Sequence, residues 1–294
     1  MKKLLIILCI LSVSVAGCDL IDEISDDKGT PEAIISQNLP EGTLAVHFID
    51  VGQGDATFID LGETEILIDT GKRGAGVANY IEDYVDGELE AFIPTHPDAD
   101  HIGEADVVFD RFDVLKTYDS GDTKTTQTYV RYEEALEDEG TKYYQPKRGE
   151  TISVNSLEFM VINPEEDSND DYNNNSVALY LKYGDVDFIF MADCEEEVED
   201  EILEEYTFAP FEIDFLKAGH HGSRTSSSFK FMDNVTPTYV IYSAGEGNSY
   251  GHPHQEAVEA WESVGAVIYG TDINGTVVVT TDGTVETTNI ITEK

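Results

Sequence analysis

Apolar runs of strand length, closely spaced and broken by glycine turns, are the feature that most limits how this chain can fold. "LAVHFIDV" (44–51), "ATFIDL" (56–61) and "TEILIDT" (64–70) follow one another with Gly-containing turns between them, which reads as an antiparallel meander. Two helix-like stretches come next, "GVANYIEDYV" (76–85) and "IGEADVVFDRF" (102–112), with the strand "EAFIPT" (90–95) between them. The second half repeats the style. "TISV", "LEFMVIN", "SVALYLKY" and "VDFIFMAD" read as strands and "CEEEVEDEILEEY" as a helix; "IDFLKAG", "TYVIYSA", the helical "HQEAVEAWESV", "AVIYG" and "TVVVTT" follow. Two strand-rich halves, each followed by helices, predict an α/β chain of two sheets packed face to face with helices outside. No strong sequence repeat accompanies this repetition of pattern, and the acid- and Asn-rich "PEEDSNDDYNNN" (164–175) reads as an exposed loop.

Residues 1–18 read as an export signal: Lys2 and Lys3, the apolar run "LLIILCILSVSV", then small residues before a cysteine in "VAGCD". Val15-Ala16-Gly17-Cys18 resembles a lipobox, in which Cys18 becomes the lipid-bearing N-terminus. Residues 19–41 are acidic, carry Gly and Pro and lack a sustained apolar period, so they are expected to be a flexible tether. The folded domain is expected over 42–294, outside the cytoplasm and anchored by lipid to the outer face of the cell membrane; no later run is apolar enough to span a bilayer. Of the three cysteines, Cys9 and Cys18 fall in the signal region, which leaves Cys194 alone and excludes a disulfide framework.

The charge balance is 60 acidic against 17 basic residues, a net charge of -43. Such a chain repels itself at ordinary ionic strength, whereas molar salt shrinks the Debye length to about 3 Å. The balance predicts a halophilic source, an archaeon. It argues against a basic nucleic-acid-binding face, but at high salt the counterion-release term that makes such faces useful fades as well. Charge therefore disfavours a nucleic-acid substrate without excluding one.

Four potential ligands crowd into "IPTHPDADHIGE" (93–104): His96, Asp98, Asp100 and His101, on a loop between a strand and a helix. Imidazole nitrogens and carboxylate oxygens are what first-row divalent cations accept, and four donors at this spacing can seed two adjacent sites. Distant partners exist. His220 and His221 follow a strand in "LKAGHHGSRTSSS", where burial without a partner is costly and metal ligation removes the cost. Asp193 ends the apolar strand of "FIFMADCEE", where a carboxylate can bridge two cations or cap the next helix. His252, between Gly251 and Pro253, is expected to reach the site as a substrate-contacting or proton-donating group. His254 is open between helix capping and function, and His47, inside a strand, is expected to be structural. "VGQGD" gives Gly52 and Gly54 to a tight turn beside Asp55; its spacing matches neither nucleotide fingerprint.

Taken in order, "FIDVGQGDA", "ILIDTG", "THPDADHIG", "MADCE", "LKAGHHGS" and "GHPH" resemble the metallo-β-lactamase fold superfamily. More narrowly, they are similar to the extracytoplasmic hydrolase domain of ComEC-type DNA-internalisation competence proteins. The resemblance implies an αββα sandwich with a dinuclear centre at one edge. It implies metal ligands at His96, Asp98, Asp100, His101, Asp193 and His221, with Asp69 of "IDTG" supporting the metal loop. Which of His220 and His221 ligates is left open, and Asp100, His220 and His252 are the expected catalytic groups. The chain departs from the superfamily pattern in having Asp98 where most members have a histidine, and no histidine shortly before Asp193. One metal position is thus poorer in imidazole, which makes Mn²⁺ a competitor to Zn²⁺. Two divalent ions and a water-derived nucleophile imply hydrolysis, first of a nucleic acid or a small phosphodiester. The alternatives are another ester (surface-polymer phosphoester, lactone or lactam) or a binding lipoprotein that keeps the fold without catalysis. No protein partner and no oligomeric state follow from the sequence.

Overall fold

The computed structural model describes residues 39–85, 87–165, 171–206 and 213–294. The signal-like segment, Cys18 and most of the tether lie outside the described residues, as does the middle of the acid- and Asn-rich loop.

In chain order the strands are β1 (Leu44–Phe48), β2 (Thr57–Asp60), β3 (Glu65–Ile68), β4 (Glu88–Leu89), β5 (Ala91–Ile93), β6 (Asp113–Val114), β7 (Lys116–Tyr118) and β8 (Lys142–Tyr144). The second half adds β9 (Thr151–Val154), β10 (Leu157–Asn163), β11 (Ala178–Tyr183), β12 (Val186–Phe190), β13 (Phe215–Lys217), β14 (Tyr239–Tyr242) and β15 (Val267–Gly270). The chain then returns to the first half with β16 (Val277–Thr281) and β17 (Asn289–Thr292). One sheet has the order β17-β16-β1-β2-β3-β5-β7-β8, the other β15-β14-β13-β12-β11-β10-β9, and β4 pairs with β6 in a small ribbon.

Both large sheets share a plan. Antiparallel hairpins lead into parallel strands, β3 to β5 to β7 in the first sheet and β12 to β13 to β14 to β15 in the second. Parallel neighbours need crossovers, and the helices supply them on the outer faces. The repeated pattern seen in the sequence is therefore a repeated topology.

Strand alternation sorts the side chains into layers. On β1, Leu44, Val46 and Phe48 face the other sheet; on β12, Phe188 and Phe190 do the same, and Phe188 stacks on Phe215 at 4.9 Å. Ile189 on β12 turns the other way, to a core shared with Val198, Ile202, Phe231, Met232 and Trp261 from the helices Glu196–Glu205, Phe229–Val235 and Gln255–Ser263. On the far side Phe58, Leu67 and Phe92 meet Val77, Ile81, Val108, Phe109 and Tyr132 from the helices Val77–Ile81, Ala105–Arg111 and Gln127–Glu139. Three cores thus separate four layers, helix, sheet, sheet, helix. Each fully buried Phe or Leu contributes roughly 1.5–3 kcal/mol.

Two local readings change. The helix expected over 76–85 runs only from Val77 to Ile81, where the N–H groups of Tyr84 and Val85 both close onto the Ile81 carbonyl in a tight turn. The helix Gln127–Glu139 was not anticipated, although Thr126 caps it by accepting from the Tyr129 N–H, and Tyr129 and Tyr132 bury one face. Among the described residues no helix is long and apolar enough to cross a membrane.

Candidate metal centre

The register of the sheets gathers the chemistry at one edge. Ile68 on β3 pairs with Ile93 on β5, so Asp69 and Thr95, just beyond, are neighbours. In the other sheet Phe190, Lys217 and Ile241 lie side by side on β12, β13 and β14, and the loops beyond them carry Asp193, His220, His221, Ser243 and His252. The amide of Val177 donates to the Thr95 carbonyl at 2.9 Å and ties the two sheet edges together. Loops at the carboxyl ends of parallel strands are the usual place for a site in such sheets.

The loop after β5 is wound tightly, with the amides of His101 and Ile102 both bonding to the Asp98 carbonyl. Asp69 clamps it. One carboxylate oxygen accepts from the Thr95 N–H at 2.8 Å, and the other accepts from the Thr95 hydroxyl at 2.8 Å and from His101 Nδ1 at 2.7 Å. With its hydroxyl hydrogen committed to Asp69, Thr95 Oγ1 accepts from His96 Nδ1 at 3.2 Å. His221 Nδ1 donates to the Ser243 carbonyl at 3.1 Å, and His220 Nδ1 to Glu195 at 3.1 Å. Each of the four imidazoles is thereby held through Nδ1 and presents Nε2, with its lone pair, to the interior.

All four Nε2 atoms converge on Asp193. Its Oδ2 lies 3.3 Å from His101, 3.6 Å from His221 and 3.8 Å from both His96 and His220, while Asp100 Oδ2 lies 3.4 Å from His221 Nε2. His96, His101, His221 and Asp193 are almost fully buried. The Nε2 atoms of these three histidines and Asp193 Oδ1 lack a well-formed hydrogen bond. Buried polar atoms without partners are costly, and a set of imidazole and carboxylate donors is what a divalent cation satisfies. Two overlapping groups have compatible spacing, His96 with His101 and Asp193, and Asp100 with His101 and His221; Asp55 with Asp193 and His221 forms a third. The donor set therefore fits divalent metal.

Electrostatics point the same way. Burial disfavours charge on His101 and His221, yet the carboxylates around them, Asp193 above all, outweigh it and hold both above the ordinary imidazole value. Burial would likewise raise Asp193 and Asp100, but the neighbouring imidazoles draw both below the usual carboxylate range. Burial and the charge of His101 push His96 down. A cluster of ionised carboxylates with imidazoles sharing protons between them binds a cation in exchange for those protons.

Backbone conformation is unusual at the same place. Four of the seven non-glycine residues with positive φ among the described residues are Asp69, Ala192, His220 and His221, all in the site. Each such residue costs of order 1–3 kcal/mol, so the surrounding fold is imposing these orientations on the ligand loops. Gly54 shows the reason for its glycine: a Cβ there would lie 2.5 Å from the Asp100 carbonyl oxygen, which accepts the Asp55 N–H at 3.0 Å. The "VGQGD" turn therefore braces the metal loop.

Most of the residues singled out in the sequence meet here, namely His96, Asp100, His101, Asp193, His221, His220 and Asp69. His252 borders them, its ring centroid 5.8 Å from His220 and 6.1 Å from His221, and burial and those neighbours lower its pKa to about 4. Asp98 is in none of the three groups; its side chain is a third exposed, and Lys124 reaches it as an ion-pair partner. Of the two adjacent histidines, His221 is the buried one and belongs to the ligand groups, while His220 forms part of the wall. His254 precedes the helix Gln255–Ser263 and accepts from the Arg224 N–H. His47 is structural: it bonds to the Tyr80 hydroxyl among aromatic rings, and burial lowers its pKa to about 3. Asn174, one of three Asn-X-Ser/Thr sequences with Asn234 and Asn274, is buried and accepts the Glu195 N–H, so it is closed to glycosylation in the fold. Lys217 was not anticipated. It is buried and bonds to Asp55 at 2.8 Å, and a lysine ending so apolar a strand was the available signal.

Comparison with known proteins agrees with this geometry. Residues 49–244 match the family model described as the metallo-beta-lactamase superfamily. The chain is 31% identical over 256 residues to ComE operon protein 3 of Bacillus subtilis, covering 79% of this chain and 32% of that protein. It is 27% identical over 248 residues to competence protein ComA of Neisseria gonorrhoeae, covering 83% and 33%. The chain thus spans about a third of the length of these relatives. The crystal structure of the metallo-beta-lactamase fold protein YhfI from Bacillus subtilis superposes with a TM-score of 0.51 at 12% identity, over 80% of this chain and 98% of that one, a likeness of fold. From its topology, its convergent histidines and aspartates and this match, the chain belongs to the metallo-beta-lactamase superfamily, whose members bind divalent metals.

Proposed function

We propose that this protein is a lipid-anchored, extracytoplasmic, metal-dependent phosphodiesterase acting on extracellular nucleic acid. The observation that carries the reading is the set of four imidazole Nε2 atoms around one buried carboxylate, Asp193, with Asp100 beside it. His96, His101 and Asp193 would hold one cation; Asp100 and His221, with His101 or Asp193, would hold the other. When bound, divalent ions supply Lewis acidity and an acidified water. The chain's own residues do the rest. Asp69 and Thr95 keep His96 and His101 in their ligating tautomer, Lys217 keeps Asp55 paired beside His221, and Asp98 with Lys124 forms the outer rim. His220 and His252 stand on the wall, in place to contact the substrate, and His252, its pKa lowered to about 4, would accept a proton there rather than supply one at neutral pH. Similarity to competence proteins supports nucleic acid over other esters as the substrate, and the signal-like first eighteen residues support export and anchoring through Cys18.

The protein loaded with Mn²⁺ or Zn²⁺ at high salt is expected to cleave single- or double-stranded DNA, and His96→Ala and Asp193→Ala are expected to abolish cleavage. Metal-loaded protein inert on DNA but active on a lactone or a polymer phosphoester would replace the nucleic-acid reading, and failure to retain metal after dialysis would end both.

A further inference from the structure

Tyr250 is 65% exposed, the most exposed aromatic ring among the described residues. Its loop is nevertheless pinned. The Asn248 side chain accepts from the N–H groups of Tyr250 and His252 and donates to the carbonyls of Gly245 and His252. One face of the Tyr250 ring stacks on His252, with centroids 5.6 Å apart and planes 23° from parallel. His252 in turn lies 6.1 Å from His221 at 25°. Three rings thus neighbour one another from the surface to the ligand cluster, and the outermost leaves most of its area open to solvent.

A polyanion approaching a chain of net charge -43 finds little electrostatic help. Lys124, Lys217 and Arg224 near the site are already paired with Asp98, Asp55 and Glu256. Beyond what bound metal would offer a phosphate, a nucleic acid held here gains affinity from contacts that tolerate salt. Stacking of a base on an aromatic ring is one, and it is indifferent to sequence because every base has a π-face. We infer that a nucleobase flanking the scissile phosphodiester stacks on the exposed ring of Tyr250, making the site selective for nucleosidic over simple phosphodiesters. The inference rests on the phosphodiesterase reading and adds a recognition element to it.

The test compares two diesters with a common leaving group, the p-nitrophenyl ester of thymidylate and methyl p-nitrophenyl phosphate, on the Mn²⁺-loaded protein at molar salt. Tyr250→Ala is expected to lower kcat/KM on the thymidylate ester roughly tenfold or more, chiefly through KM, and to leave the methyl ester unchanged; Tyr250→Trp is expected to restore it. Equal losses on both esters, or none on the thymidylate ester, would overturn the inference. Anisotropy of a labelled oligothymidylate gives a readout independent of cleavage. Binding that persists at high salt and is lost in Tyr250→Ala supports stacking even if neither ester is hydrolysed, in which case only the phosphodiesterase reading fails; binding indifferent to Tyr250 refutes stacking even if both esters are cleaved, and no binding at all with neither ester hydrolysed overturns both.

Discussion

Asp69 illustrates how a residue outside the candidate ligand groups can orient the residues within them. Its two carboxylate oxygens accept three hydrogen bonds, from the Thr95 amide, the Thr95 hydroxyl and His101 Nδ1, and through Thr95 they also set His96. An amide in its place has one acceptor oxygen, and its NH₂ meets donors. Asp69→Asn is therefore expected to lose about 10–100-fold in metal affinity while keeping the fold. Isothermal titration of Zn²⁺ or Mn²⁺ into the metal-depleted protein, with circular dichroism as the control for folding, measures it; unchanged affinity would mean that the metal loop is held by packing alone. Asp98 makes the complementary point. Spacing and the family resemblance both grouped it with the other three ligands, whereas its side chain is about a third exposed and paired with Lys124.

At the scale of elements, the centre depends on two sheet edges keeping their alignment. The Lys217–Asp55 pair is one of the links, joining the end of β13 in one sheet to the loop before β2 in the other, with both side chains nearly excluded from solvent. Removing one member of such a pair leaves a buried charge with no partner. Lys217→Met is expected to cost about 3–5 kcal/mol in denaturant unfolding, and Asp55→Asn on top of it to recover a large part of that loss. Equal stability of the single variant and the parent chain would show that Asp55 finds another partner. The strands and most helices were legible because their apolar periods are long and regular, whereas the helix Gln127–Glu139 was missed because its buried face rests on Tyr129 and Tyr132 amid charged residues. The helix Val77–Ile81 came out shorter than its pattern because the chain closes into a turn at Ile81.

For the whole molecule, the net charge of -43 sets the conditions of stability. Its self-repulsion is long-ranged at low ionic strength and screened at high, as the Debye length falls from about 30 Å at 0.01 M to about 3 Å at 1 M salt. Tm is expected to rise steadily over that interval in KCl, by scanning calorimetry on the metal-loaded chain so that metal binding is held constant. A flat Tm would remove the basis for a halophilic source.

The sequence by itself determined the class of fold, the layers and the residue types of the centre, because hydrophobic periodicity and clustered His and Asp are local properties that survive in one dimension. Places at strand ends also pointed to Asp193 and to the His220–His221 pair, and the family resemblance of "IDTG" to Asp69. Only the tertiary structure decided which atoms meet. Strand register put four Nε2 atoms around Asp193, the loop turned Asp98 towards Lys124, packing buried His221 more deeply than His220, and Lys217 found Asp55 across the sheets. Those outcomes depend on distances between residues far apart in the chain, set by how two sheets pack rather than by any neighbouring letters.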